Sequence, residues 1–140
     1  MDCVFCQSDG GQIIFSNSLF RVVLVDDKDY PGFLRVILNK HVKELTDLTH
    51  NDNLKLYSSV MACEKSIREV MTPDKINIAS FGNMTPHVHW HIIPRFIGDK
   101  HFPNPIWGEV INANYVPSQQ LTNQVIKLIQ NLNNKLQELS

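Results

Sequence analysis

With 140 residues, 43% of them hydrophobic and 19% charged, the chain has the length and apolar content for one globular domain with its own core. A formal net charge of -1 excludes a global electrostatic drive toward nucleic acid or an anionic membrane, so any anion must be bound by local geometry. No apolar run approaches the roughly 20 residues that cross a bilayer, and the acidic Asp2 at the start does not suit a secretory signal; the expectation is a cytoplasmic protein with reduced cysteines.

Taken in order, the chain opens on Cys3 and Cys6, a Cys-x-x-Cys spacing that reads as a metal half-site or as chance near a terminus. Ser8-Asp9-Gly10-Gly11 marks a turn. Residues 12–15 and 19–25 read as two strands of a hairpin, 26–32 break the pattern, and 33–38 resume it as a third, mostly apolar strand ending at Asn39-Lys40-His41. From about Asp52 to Met71 apolar residues recur at helical spacing, with Thr72-Pro73 as a stop and Cys63 as a small residue buried or half-buried in that helix. Residues 75–81 read as a fourth strand, pairing with the next one across Gly82-Asn83-Met84-Thr85-Pro86. After Pro94 three prolines and the lack of a period indicate a loop. Ser118 then caps a last helix whose stripe of Leu121, Val125, Leu128, Leu132, Leu136 and Leu139 suits the core or a partner. One domain over 1–140 is expected, with 1–10 as a metal-binding segment and 95–140 as a C-terminal loop and helix.

The stretch with the most chemistry is Pro86-His87-Val88-His89-Trp90-His91-Ile92-Ile93-Pro94. Its histidines alternate with apolar residues at the period of a strand, so the imidazoles share one face, about 6.6 Å apart along the chain. A row of unpartnered imidazoles costs roughly 1–3 kcal/mol for each polar group left unsatisfied, and an ordinary core has no use for it, whereas His50 and His101 singly read as structural. The row suits a metal site of the His-x-His type or nucleophilic attack on phosphorus by a neutral imidazole.

His87-Val88-His89-Trp90-His91-Ile92-Ile93 resembles the signature of the histidine triad (HIT) family of nucleotide hydrolases and transferases, and the resemblance runs from Cys3 to about Arg95. It implies an α+β, HIT-like fold: an antiparallel sheet of about five strands, one long central helix and a C-terminal helix. It implies that His89 is the nucleophile on a nucleoside 5′-phosphoryl substrate, such as a dinucleoside polyphosphate or a nucleoside phosphoramidate, with His91 and His87 completing the catalytic row. Asn83 and Thr85 become phosphate donors, Asp26 a ribose contact if the loop is one residue shorter here, and Asn77 a further substrate contact. Cys3, Cys6, His41 and His87 match the positions at which some relatives hold structural zinc, and the family is commonly homodimeric. Two departures stand out. Phe33 follows Pro31-Gly32 where many members carry a supporting histidine, and Met84 takes the place of a hydroxyl. A non-catalytic nucleotide-binding module and a metallohydrolase therefore stay open, as does Arg35, which suits an acid partner, a phosphate or an exposed edge.

Overall fold

The computed structural model describes residues 2–139, so the expected domain limits at 1 and 140 lie outside the described residues. A short helix, α1 (Val4–Gln7), precedes strands β1 (Gln12–Ser16), β2 (Phe20–Leu24) and β3 (Leu34–Leu38); the long helix α2 (His50–Met71), strands β4 (Lys75–Ala79) and β5 (His89–Arg95) and helix α3 (Gln119–Leu139) follow. The five strands form one sheet in the order β1-β2-β3-β5-β4, and every neighbouring pair is antiparallel. This is the expected α+β architecture, and both expected hairpin pairings are present.

The sheet is covered on both faces, which is why β2 and β3 are buried almost without alternation. On one face Val22, Leu34, Val36 and Ile92 meet Leu56, Val60, Cys63 and Ile67 of α2 and Leu128, Leu132 and Leu136 of α3. Each of those leucines is fully buried, worth about 2 kcal/mol apiece by area. The α3 stripe thus serves the chain's own core through its middle members, while Leu139 is exposed. A polar rim adds to the docking: Ser66 donates to Asn131 at 2.7 Å, Asn133 to the carbonyl of Ile14 at 2.7 Å, and Lys135 pairs with Glu69 at 3.0 Å.

Helix α2 starts two residues before the apolar periodicity, because the Thr49 hydroxyl accepts the backbone N–H of Asp52, a cap worth about 1 kcal/mol. It ends where expected, with Thr72 in the left-handed conformation ahead of Pro73. Ser118 caps α3 as read from the sequence, accepting from the N–H of Leu121 at 3.2 Å.

The other face of the sheet is covered by the N-terminal segment and by the loop after β5, each joining a small apolar cluster, Cys3, Phe5, Val23 and Ile37 for the first and Tyr30, Phe33, Ile93 and Ile106 for the second, to a buried polar anchor. Arg21 on β2 is buried beneath α1, where it donates to the carbonyls of Phe5 (2.7 Å), Ser8 (3.0 Å) and Asp9 (2.9 Å) and to the side chain of Asn39 (3.1 Å). Asp99 gathers the loop: it takes two hydrogen bonds from Arg95 and one each from the N–H groups of Phe96, His101 and Phe102. Burial opposes that carboxylate, but Arg95 and the N–H groups of Phe96 and Phe102 hold it below its ordinary pKa. His101 is structural, its Nδ1 2.6 Å from the Tyr30 hydroxyl.

Candidate functional site

The histidine row sits at the end of β5 nearest the N-terminal segment. The strand is shorter there than its alternation suggests: it begins at His89 rather than Pro86, because Val88 donates to the carbonyl of Val42 and His87 to that of Thr85, leaving the ladder. His89 stands opposite Ile37, and His91 opposite Arg35 on one side and Ala79 on the other. All three imidazoles are buried, His87 completely.

Their hydrogen bonds assign the protons differently in each ring. The Nε2 of His87 lies 2.5 Å from the carbonyl of Leu38, which can only accept, so Nε2 carries the hydrogen and Nδ1 keeps a lone pair. In His89 the order is reversed: Nδ1–H donates to the carbonyl of His87 at 2.6 Å, leaving the Nε2 lone pair without a hydrogen bond among the described residues. His91 Nδ1 faces Nε–H of Arg35 at 3.5 Å and must accept, so its Nε2–H is a donor. Burial lowers the pKa of His89, with Arg35 and His87 adding to the effect and the bond to the His87 carbonyl opposing it. Burial, followed by Arg35 and His89, pushes His91 down to about 3, so that ring is neutral at physiological pH.

The His87 lone pair points into a cluster with Cys3, Cys6 and His41. Its Nδ1 is 3.4 Å from Cys3 Sγ, 3.6 Å from Cys6 Sγ and 3.2 Å from His41 Nδ1, and Cys6 Sγ is 3.3 Å from His41 Nδ1. All four ligand atoms lie within 4.8 Å of one another. A tetrahedral ion with bonds of about 2.0–2.3 Å separates its ligands by roughly 3.3–3.8 Å, so four donors of the right kind stand close to metal-ligand spacing. The bond from His87 to Leu38 is the outer contact that orients such a ligand.

Beside the cluster opens a cavity of about 620 Å³. One wall is Val4, Phe5 and Gly10 of the N-terminal segment; the floor is His89, His91 and Arg35; the rim is Phe81 to Thr85 with Trp107 of the C-terminal loop. Rings crowd the floor: Phe5 lies 4.7 Å from His89, Trp107 5.0 Å from His91, and Phe33 meets His91 edge-on at 5.7 Å. Of the residues singled out in the sequence, His89, His91, Asn83 and Thr85 line this cavity together. His87 is one step behind it in the four-ligand cluster. Asp26 and Asn77 are elsewhere. Asp26 is exposed on a separate cavity between the end of β2 and α3, and the Asn77 side chain is taken by Arg95 at 2.7 Å.

Sequence reasoning missed Arg21 and Trp107. A charged residue inside the apolar run of β2 was a readable signal for the first; Trp107 comes from an aperiodic loop and only the fold brings it to the site.

A profile of the HIT domain matches residues 8–98. Among characterised proteins the chain is 30% identical over 107 residues to an AP-4-A phosphorylase of Mycobacterium tuberculosis, covering 72% of this chain and 55% of that protein. It is 32% identical over 91 residues to an asymmetrical bis(5′-nucleosyl)-tetraphosphatase of Schizosaccharomyces pombe, covering 61% and 50%. The chain spans about half the length of these relatives. Among solved structures, a histidine triad protein of Bradyrhizobium japonicum superimposes with a TM-score of 0.72 at 27% identity, covering 91% of this chain and 92% of that one. Signature, fold and site geometry agree with the match: the chain belongs to the HIT domain family.

Proposed function

We propose that the protein is a nucleotide phosphohydrolase or nucleotidyltransferase that cleaves a nucleoside 5′-phosphoryl substrate, of the dinucleoside polyphosphate or phosphoramidate type, through a covalent nucleotidyl-His89 intermediate. The observation that carries this reading is the bond from His89 Nδ1–H to the His87 carbonyl, which leaves Nε2 as an unprotonated nucleophile on the cavity floor. Nε2 attacks the α-phosphorus; the N–P bond forms as the bond to the leaving oxygen or nitrogen breaks, and the leaving group departs with that electron pair. His91 Nε2–H, with the backbone N–H groups and side chains of Asn83 and Thr85, meets the charge that develops on phosphate and leaving group. Water or another acceptor then attacks phosphorus from the vacated side and gives up its proton to solvent, the N–P bond breaks and the electron pair returns to Nε2; water yields the nucleoside monophosphate, and another acceptor leaves carrying the nucleotidyl group. The dinucleoside polyphosphate activities named for both relatives support the substrate class.

Cys3, Cys6, His41 and His87 hold zinc in this reading, which two thiolates and two imidazoles suit. Bound there, zinc is structural and fixes the ring of the residue whose carbonyl orients His89.

The test is rapid quenching at alkaline pH with a substrate labelled in its α-phosphate. An acid-labile label on His89 is expected; full turnover with no adduct, or label on another residue, overturns the reading. Phe33 favours one alternative, binding without turnover, since its ring offers the row no proton acceptor. Titration with AMP and GMP beside a turnover assay separates the two. The reading also includes a cytoplasmic homodimer, supported by the partly exposed Ile78 on the edge strand β4. Sedimentation is expected to give twice the chain mass at micromolar concentration, and a monomer at every concentration overturns this part.

A further inference from the structure

Arg35 is the charged residue in the cavity to which the proposed reaction gives no part. It sits on β3 between β2 and β5, so it is not on a sheet edge, and its register partner on β5 is His91. Among the described residues it has no carboxylate partner. Two of its five N–H donors are used, both on neutral acceptors: Nε–H on His91 Nδ1 at 3.5 Å and Nη1–H on the carbonyl of Gly10 at 2.9 Å. The guanidinium lies 5.3 Å from the Phe5 ring centroid and 5.7 Å from that of Phe33, two faces that confine it without neutralising it. Burial alone lowers its pKa, with no opposite charge to compensate. A half-buried cation held this way is costly unless an anion completes it. The space left to that anion is the cavity that Arg35 shares with His89 and His91.

We infer that Arg35 binds the phosphate of the substrate with its free guanidinium donors while its Nε–H fixes the His91 tautomer that presents Nε2–H to the same phosphate. The planar guanidinium suits both tasks, since one edge reaches the imidazole and the other can take two phosphate oxygens side by side. Arg35 would thereby do the orienting that the Phe33 ring cannot. This inference rests on the proposed function, whose substrates all carry an α-phosphate at this site.

The test compares wild type with Arg35→Met and Arg35→Lys, using AMP and adenosine as probes and ring-nitrogen NMR of His91 as a readout independent of activity. Met keeps the stem length and removes every donor; Lys keeps the charge and guards against loss of fold, which the melting temperature of each variant monitors. In R35M the AMP affinity should fall about 10- to 100-fold with adenosine affinity unchanged, and His91 should pass from one tautomer to a mixture. R35K should recover AMP affinity to within about tenfold of wild type. Equal weakening of AMP and adenosine, unchanged AMP affinity, or movement of only one of the two readouts overturns the inference. The two failures are distinguishable: if wild type forms the His89 adduct but R35M binds AMP as wild type does, only the role of Arg35 falls. If wild type binds neither probe and forms no adduct, the proposed function falls and takes this inference with it.

Discussion

Replacing His89 by alanine is expected to lower the turnover of a dinucleoside polyphosphate about ten-thousand-fold or more, the scale seen when a covalent nucleophile is removed. No other side chain on the cavity floor can take over. The lone pair of His91 is engaged by Arg35, and that of His87 faces the cysteines. The loss should lie in kcat, because the imidazole is needed for bond making rather than for holding the nucleoside. His91→Ala, which removes one donor to the developing charge, should cost only about 10²–10³. Steady-state kinetics on both variants, with folding checked because Phe5 packs on the His89 ring, decides the matter. H89A activity within tenfold of wild type would remove the nucleophile from the scheme.

The second large effect concerns the four-ligand cluster. Purified protein is expected to contain about one zinc per chain, and stripping it should lower the melting temperature by roughly 10 °C. The figure follows from a ligand at about a thousand times its Kd, which stabilises by about 4 kcal/mol, with about 3 °C per kcal/mol at this chain length. Cys3→Ser and Cys6→Ser should each reproduce the loss. Cys63→Ser is the control for thiol chemistry in general, because Cys63 is fully buried in α2 and outside the cluster, where burial keeps its thiol protonated. Metal analysis beside calorimetry checks the prediction, and a metal-free protein with an unchanged melting temperature would defeat it.

Much of this arrangement could be read from residue patterns, for identifiable reasons. Period-two and helical spacings are local properties, so the five strands, α2 and α3 follow from them to within a few residues. The histidine signature and the Cys-x-x-Cys pair are likewise local. What escaped depends on register and on long-range polar contacts. Asp26 lies beyond the end of β2 and lines a separate cavity with Val125, Ile126 and Ile129 of α3. Asn77 lies on β4, and Arg95 takes its side-chain carbonyl, a contact decided by a residue 18 positions away. The early strand start expected at Pro86 fails because Val88 bonds to Val42, a partner 46 residues back that no period announces. Arg35 was ambiguous in the sequence, since only its register against His91 shows that a charge inside an apolar strand belongs to the site.

The cluster that joins Cys3 to His87 also has a consequence for chain topology. It ties together residues 84 positions apart, and Cys6 to His41 across 35, so this cluster closes loops far longer than those closed by Arg21, which reaches Phe5, Ser8 and Asp9 from 12 to 16 positions away. Helix α1 has four residues, too few to persist alone, yet it brings Val4 and Phe5 to the wall of the cavity. Loop closure over such a distance carries an entropic cost, met by Arg21 under α1 and by the ligands of the cluster. The floor of the pocket on β5 and its wall on the N-terminal segment thus come from distant parts of the chain, and the pocket is complete only when the two ends of this long loop meet.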